Sequence, residues 1–357
     1  MKRSKVGHQE AKSQVIIIMP ETQHIGNDTH ESTADETAML KTLSPLITSM
    51  KIFGLFFLKD NENIASNSSN RSRWSLPKFS SKGHAYAFTV LVVMWLNVIR
   101  FATVFTANDN LASDLLWKIS FVVFTLMHAF VQVSCYRACS SGRMLMLLQT
   151  FYKKFTLDIY KCIRVKVILY VIAAWICAAI NVVVFGYILL SSKENIMDVT
   201  LAPIRSMVFP DYTIVIYMRV LYLVIHFYVV GAATFPMAFN LLVATIFSQQ
   251  FTICNRKFRE AIENSDFFKE SFEDLRRQHQ VLSRLVSKAD KFMCLSNAAY
   301  VGGLIFLVIS NLYSLLFNPL LARSPIFLSL TIFWLLWTAS GLVVVSFGGI
   351  IVNHSVS

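Results

Sequence analysis

The chain has 357 residues, of which 55% are hydrophobic and only 15% charged, with a formal net charge of +12. A soluble domain carries about 25% charged residues, so this composition excludes a molecule whose whole surface meets water. The basic excess lies in segments flanking apolar runs, where insertion bias and anionic lipid account for it, and nucleic acid is not expected as a partner.

Residues 1–42 are polar and rich in Ser, Thr, Glu and Lys, the composition of a disordered tail. Val15–Met19 is too short for a signal-peptide core, so the first span is expected to act as an uncleaved anchor. Leu43–Leu58 is apolar but short, and it contains Pro45 and Lys51. It reads as an interfacial or bundle-packed helix, followed by a polar linker, in a juxtamembrane segment 43–83.

Six runs are long enough to cross a bilayer, which needs roughly 20 apolar residues. They are 85–107, 115–135, 166–190, 212–247, 297–318 and 325–351. Backbone groups in hydrocarbon must bond within their own segment, so the spans are helices. The expected fold is an all-α polytopic membrane protein, with a bundle over 85–351 and a carboxyl tail at 352–357. The fourth run would be about 54 Å long as a helix. It must tilt or project, with Gly231 and Pro236 as bend points.

Lys and Arg alternate across the gaps. The amino-terminal segment holds eleven, 136–164 holds six and 248–296 holds nine. The gaps 108–114, 191–211 and 319–324 hold none, two and one. Positive residues stay inside, so the amino terminus and both long gaps are expected in the cytoplasm. This orientation argues against a G-protein-coupled receptor, whose amino terminus lies outside. The sequons at Asn27, Asn67, Asn70 and Asn353 would then be cytoplasmic and unused.

The 248–296 gap is the most regular polar region. Phe268, Phe272, Leu275, His279, Leu282, Val286 and Ala289 alternate in steps of four and three, a heptad-type helical seam. Phe251, Cys254, Phe258 and Ile262 repeat similarly upstream. The two flanking spans are therefore expected to continue out of the membrane as a helical hairpin, turning at Ser265–Asp266. The seam can pack within the hairpin or between subunits. His279 on it reads as a packed core histidine.

Polar groups at membrane depth are costly and mark candidate sites. Arg100 and Lys118 read as snorkelling to the interface. Arg219 and His226 are placed to face a polar cavity. The outer halves of other spans add Asn181, Tyr187, Asn311, Tyr313, Trp334, Trp337 and Thr338. Singly, such residues serve helix packing or interface belts. Together, hydrogen-bonding groups beside aromatic faces suit a small polyol. No histidines pair at metal-ligand spacing, and no GxSxG, HExxH or phosphate-cradling glycine loop occurs. No metal or other cofactor, and no enzymatic activity, is expected. The six cysteines include Cys135 and Cys139 one turn apart, but no CxxC pair.

Three stretches carry a resemblance to the insect-type gustatory receptors, the seven-transmembrane chemoreceptors of inverted topology. They are Leu43–Leu58, Phe239–Ile262 (FNLLVATIFSQQFTICNRKFREAI) and Phe272–Leu316, whose Asn311-Leu-Tyr is similar to the sugar-receptor branch. The resemblance implies a taste receptor subunit in the plasma membrane, a ligand-gated cation channel of sensory transduction that assembles as a homo- or hetero-tetramer. A small tastant such as a sugar would bind in the outer half of the bundle. The family's Thr-Tyr, five apolar residues and Gln-Phe of the seventh span do not occur here. The chain is thus expected to be a truncated form that does not conduct alone. A polytopic carrier or membrane enzyme is the alternative, and would show mid-membrane polar networks and internal repeats; no repeat between the halves is evident.

Overall fold

A computed structural model describes residues 31–57, 81–102, 112–154, 157–190, 215–263, 268–318 and 325–356. The segment 1–30, residues 58–80, the Ser265–Asp266 turn, residues 108–111 and the gaps 191–211 and 319–324 lie outside these, as do the side chains of Arg100, Cys162 and Phe268. Eight helices are described: α1 Glu31–Ile52, α2 Ser81–Ala102, α3 Ala112–Ser140, α4 Arg143–Lys154, α5 Leu157–Leu190, α6 Val215–Glu263, α7 Phe268–Phe317 and α8 Pro325–Val356. Six of them, α2, α3 and α5–α8, are long and apolar enough to cross a membrane. The described residues contain no strand.

The exposed faces behave as lipid contacts. On α2, Phe88, Val92, Leu96 and Ile99 recur at helical spacing and stay exposed. On α5 the same holds for Val165, Ile168, Ile172, Ile176 and Ile180. Water-facing surfaces do not carry apolar stripes of this extent, whereas hydrocarbon accepts them. α6 is the central helix: 78% of its apolar stretch is buried, against 11% for α8.

α6 and α7 run unbroken for 49 and 50 residues, about 75 Å each. They pack together below the spans along the heptad seam. Leu275, Leu282, Leu285 and Ala289 are buried there with Phe251 and Cys254. The His279 ring lies 5.4 Å from Phe251, and Phe258 meets Phe272 at 5.7 Å. The seam residues thus face their own hairpin, although Phe272 and Ile262 at its far end remain exposed. By hydropathy alone the apolar stretch of α7 covers Phe272–Phe317. Arg284, Lys288, Asp290 and Lys291 exclude its lower half from hydrocarbon. The remaining 295–317 run is about 34 Å long, close to the roughly 30 Å hydrocarbon thickness.

α1 is wedged into the bundle against α5 and α6. It begins at Glu31, inside the segment read as a disordered tail. Leu46, Met50, Phe53 and Leu55 are at most 1% exposed. The helix stops in a Schellman turn: Leu55 N–H reaches Met50 O at 2.9 Å and Gly54 N–H reaches Lys51 O at 3.1 Å. Gly54 takes φ +65°, and its backbone lies against Ala87 and Val90 of α2. Only glycine adopts this geometry without strain. Polar groups on α3 and α5 tie the wedge down. Gln132 Nε2 donates to Gly54 O at 3.0 Å, and Trp175 Nε1 donates to Ser49 Oγ at 3.0 Å.

The helix α6 continues through both expected bend points. Pro236 has no N–H to give the Ala232 carbonyl one turn earlier. The Tyr300 hydroxyl, fully buried on α7, supplies the missing donor, lying 3.0 Å from both Ala232 O and Ala233 O. Replacing Tyr300 with Phe leaves a buried carbonyl unpaired, which costs about 1–3 kcal/mol. A lowered thermal midpoint of Tyr300→Phe in detergent is the expected result.

Lys118 differs from expectation, and two further features complete the bundle. Lys118 is 3% exposed, so it does not snorkel but enters the bundle near the start of α3. The 136–164 gap contains α4, whose Met144, Leu147 and Leu148 are buried. Cys135 and Cys139 are both free thiols.

Candidate functional site

The end of the bundle remote from the hairpin encloses a cavity of about 40 Å³. Its lining is Ser120, Phe121 and Phe124 of α3, His226 of α6, Leu307 and Asn311 of α7, and Trp334 and Thr338 of α8. Four helices therefore build it. Each side chain sits on the half of its helix away from Lys291, the last cation before the hydrocarbon stretch of α7.

His226 is 5% exposed and is held from two sides. Its ring stacks on Phe185 at 4.0 Å between centroids and 19° between planes. Its Nε2 lies 2.9 Å from Asn181 Oδ1, and Asn181 is fully buried on α5. The amide oxygen accepts, so Nε2 carries the proton and Nδ1 is left as an acceptor. Asn181 Nδ2 has no hydrogen-bond partner among the described residues. The imidazole held in this way lines the cavity and can hydrogen-bond a hydroxyl entering it.

The α3 wall follows from a four-residue stripe, one side chain per turn. Ser120 bonds Leu116 O at 2.8 Å and meets the Ser310 hydroxyl on α7. Phe124 stands edge-on to Trp334 at 6.1 Å and packs on His128 at 4.4 Å. His128 is buried, and its Nδ1 lies 2.5 Å from Phe124 O, so Nδ1–H donates to that carbonyl. The His128 ring is 6.4 Å from that of Tyr300. One line of contacts thus links the cavity wall to the donor that satisfies the carbonyl left free by Pro236.

Of the residues singled out from sequence, His226, Asn311, Trp334 and Thr338 line this cavity, with Asn181 directly behind His226. Tyr187 does not: it lies in an open groove between α5 and α8 with Val183, Pro325 and Phe333. Tyr313 is 43% exposed and pairs with Phe317. Trp337 packs near Phe333 at 6.2 Å, outside the lining. Arg219 is half-buried near the start of α6 and is not among the lining residues. Sequence reasoning missed Ser120, Phe124 and His128, although their four-residue spacing was a readable signal.

A second cavity of about 330 Å³ lies between α6, α7 and α8 near the hairpin junction. Its wall includes an Asn240–Asn297 side-chain bond of 2.7 Å, with Asp290 and Asn353 at its rim. No cluster of His, Cys, Asp or Glu able to hold a metal occurs among the described residues. Site and fold together give a helical bundle in which six helices are long and apolar enough to cross a membrane, with a cavity among four of them. The chain matches no protein-family model and no curated protein.

Proposed function

We propose that the chain is a subunit of a ligand-gated cation channel of the insect gustatory type, a taste chemoreceptor whose cavity takes a small tastant such as a sugar. The observation that carries this reading is the meeting of His226, Asn311 and Trp334 in one cavity. Those residues come from three distant parts of the sequence. The resemblance of 43–58, 239–262 and 272–316 to gustatory receptors supports it independently.

In this reading the hairpin and the amino terminus lie in the cytoplasm, and the cavity opens towards the outside of the plasma membrane. His226 and Asn311 hydrogen-bond hydroxyls, while Phe121, Phe124 and Trp334 cover an apolar ring face. Ligand pockets commonly measure about 300–1,000 Å³, so a volume near 40 Å³ must grow to admit a monosaccharide. Rotation of the three aromatic side chains provides that growth. It passes from Phe124 to His128 and on to Tyr300 beside Pro236 of α6. The subunit works in a tetramer with other gustatory receptor subunits.

Co-expression with a full-length gustatory receptor, read by calcium imaging across a sugar panel, tests the proposal. The expected outcome is a new or altered response. Absence of both a new response and any change in the partner's response would contradict it.

A further inference from the structure

α7 carries one exposed stripe along its length. Arg284, Lys288, Lys291, Leu295, Gly302, Ile305, Ile309, Leu312 and Leu316 follow one another in heptad-like steps, and all are exposed. Residues at such spacing share one helix face. The stripe changes character abruptly, cationic through Lys291 and apolar from Leu295. The apolar part faces hydrocarbon. The cations on the same face are then fixed by helix geometry at about 6, 10 and 16 Å below Leu295 for Lys291, Lys288 and Arg284. The headgroup layer occupies the first several ångströms beyond the hydrocarbon, and long basic side chains extend towards it.

The same level is marked on other helices. Lys82 on α2, Arg137 on α3 and Arg164 on α5 are exposed within about two turns of exposed apolar residues. Among the described residues, only on α7 do three exposed cations form a row on one face of a continuous helix. Arg284, Lys288 and Lys291 make no ion pair with any described residue. The nearby acid, Asp290, is exposed beside Lys291 and borders the cavity between α6, α7 and α8. By contrast, Arg276 and Arg277, further down the helix, are engaged by Glu273 at 3.0 and 3.5 Å.

We propose that Arg284, Lys288 and Lys291 form a binding strip for the headgroups of anionic phospholipids, continuous with the hydrocarbon-facing stripe above it. The strip pins α7, and with it the junction of hairpin and bundle, to one leaflet. The inference needs the membrane-spanning fold but not the receptor reading.

The test uses the full chain in nanodiscs of phosphatidylcholine, with or without one-third phosphatidylserine. Native mass spectrometry reads the retained phosphatidylserine, and thermal unfolding reads stabilisation. Each cation near an anionic surface contributes about fivefold in affinity. The Arg284→Gln/Lys288→Gln/Lys291→Gln variant is therefore expected to bind anionic lipid about a hundredfold more weakly and to lose its stabilisation. Lys288→Glu alone lowers both readouts. Arg276→Gln/Arg277→Gln, about 27 Å from Leu295 and beyond a Debye length from the headgroups, changes neither. Equal retention of both lipids by the native chain would overturn the proposal, as would an unaltered preference in the triple variant. Stabilisation of equal size by inorganic phosphate would assign the strip to free anions instead. A loss of oligomers in the triple variant without loss of lipid would assign it to a second copy of the chain.

Discussion

Gly231→Ala is expected to lower the stability of the fold by about 3 kcal/mol or more. A Cβ built at Gly231 lies 2.0 Å from Cδ1 of Phe53 and 2.2 Å from Cε1. Contacts that short do not occur, so the ring or the helix must move. The ring has nowhere to go. It stacks on Phe235 at 5.0 Å and meets Phe227 at 4.9 Å and Trp175 at 5.7 Å. Trp175 is itself anchored to Ser49. α6 cannot yield easily, because Tyr300 holds it one residue further on. Overpacking of this kind costs about 3 kcal/mol or more, a large share of a typical folding free energy. Phe53→Ala costs a similar amount by opening a cavity. The double variant Gly231→Ala/Phe53→Ala should nevertheless be no worse than Phe53→Ala alone, since the removed ring relieves the clash. Size-exclusion profiles and thermal midpoints of the three variants in detergent check this. A native-like melt for Gly231→Ala would show that α1 does not occupy the groove beside α6.

The second large effect is expected on ligand response. His226→Leu removes a fixed acceptor and leaves Asn181 without its partner. Asn311→Leu removes an amide from the same cavity. A site that hydrogen-bonds a hydroxyl discriminates strongly against losing the bond. Each variant should raise the half-effective tastant concentration about tenfold or more. Tyr187→Phe, in the outer groove, should change it less than twofold, an amount within the range of a surface substitution. Dose–response curves of the co-expressed channel report these shifts. Equal sensitivity to Tyr187→Phe and His226→Leu would place the ligand outside the cavity.

Much of this architecture is legible in the residues. The spans follow from apolar length, and the continuity of α6 and α7 follows from heptad spacing below the membrane. The depth of α1 was less legible. Pro45 and Lys51 interrupt its apolar pattern, whereas the partners that bury it, Trp175, Gly231 and Phe235, are more than a hundred residues away. Its fit depends on a glycine, and a sequence does not say which side chain a glycine admits.

The cavity was half legible for a related reason. His226, Asn311 and Trp334 stand out as polar or amphipathic groups at depth. Tyr313, two residues after Asn311, is rotated by about 200° on the helix and faces outward. Tyr187, six residues after Asn181, is turned away similarly. Depth alone selected these residues, but helix face decides which of them meet. The α3 stripe of Ser120, Phe124 and His128 shows the complementary failure. Only their common face marks Ser120 and Phe124 as a wall, with His128 packed behind Phe124.

The receptor reading and the choice of leaflet both depend on which side the hairpin and the leading segment occupy. The most direct measurement inserts short epitopes near residue 10 and near residue 266 of the full chain and stains intact and permeabilised cells. The account predicts that both epitopes stain only after permeabilisation. Staining of either one on intact cells would contradict it.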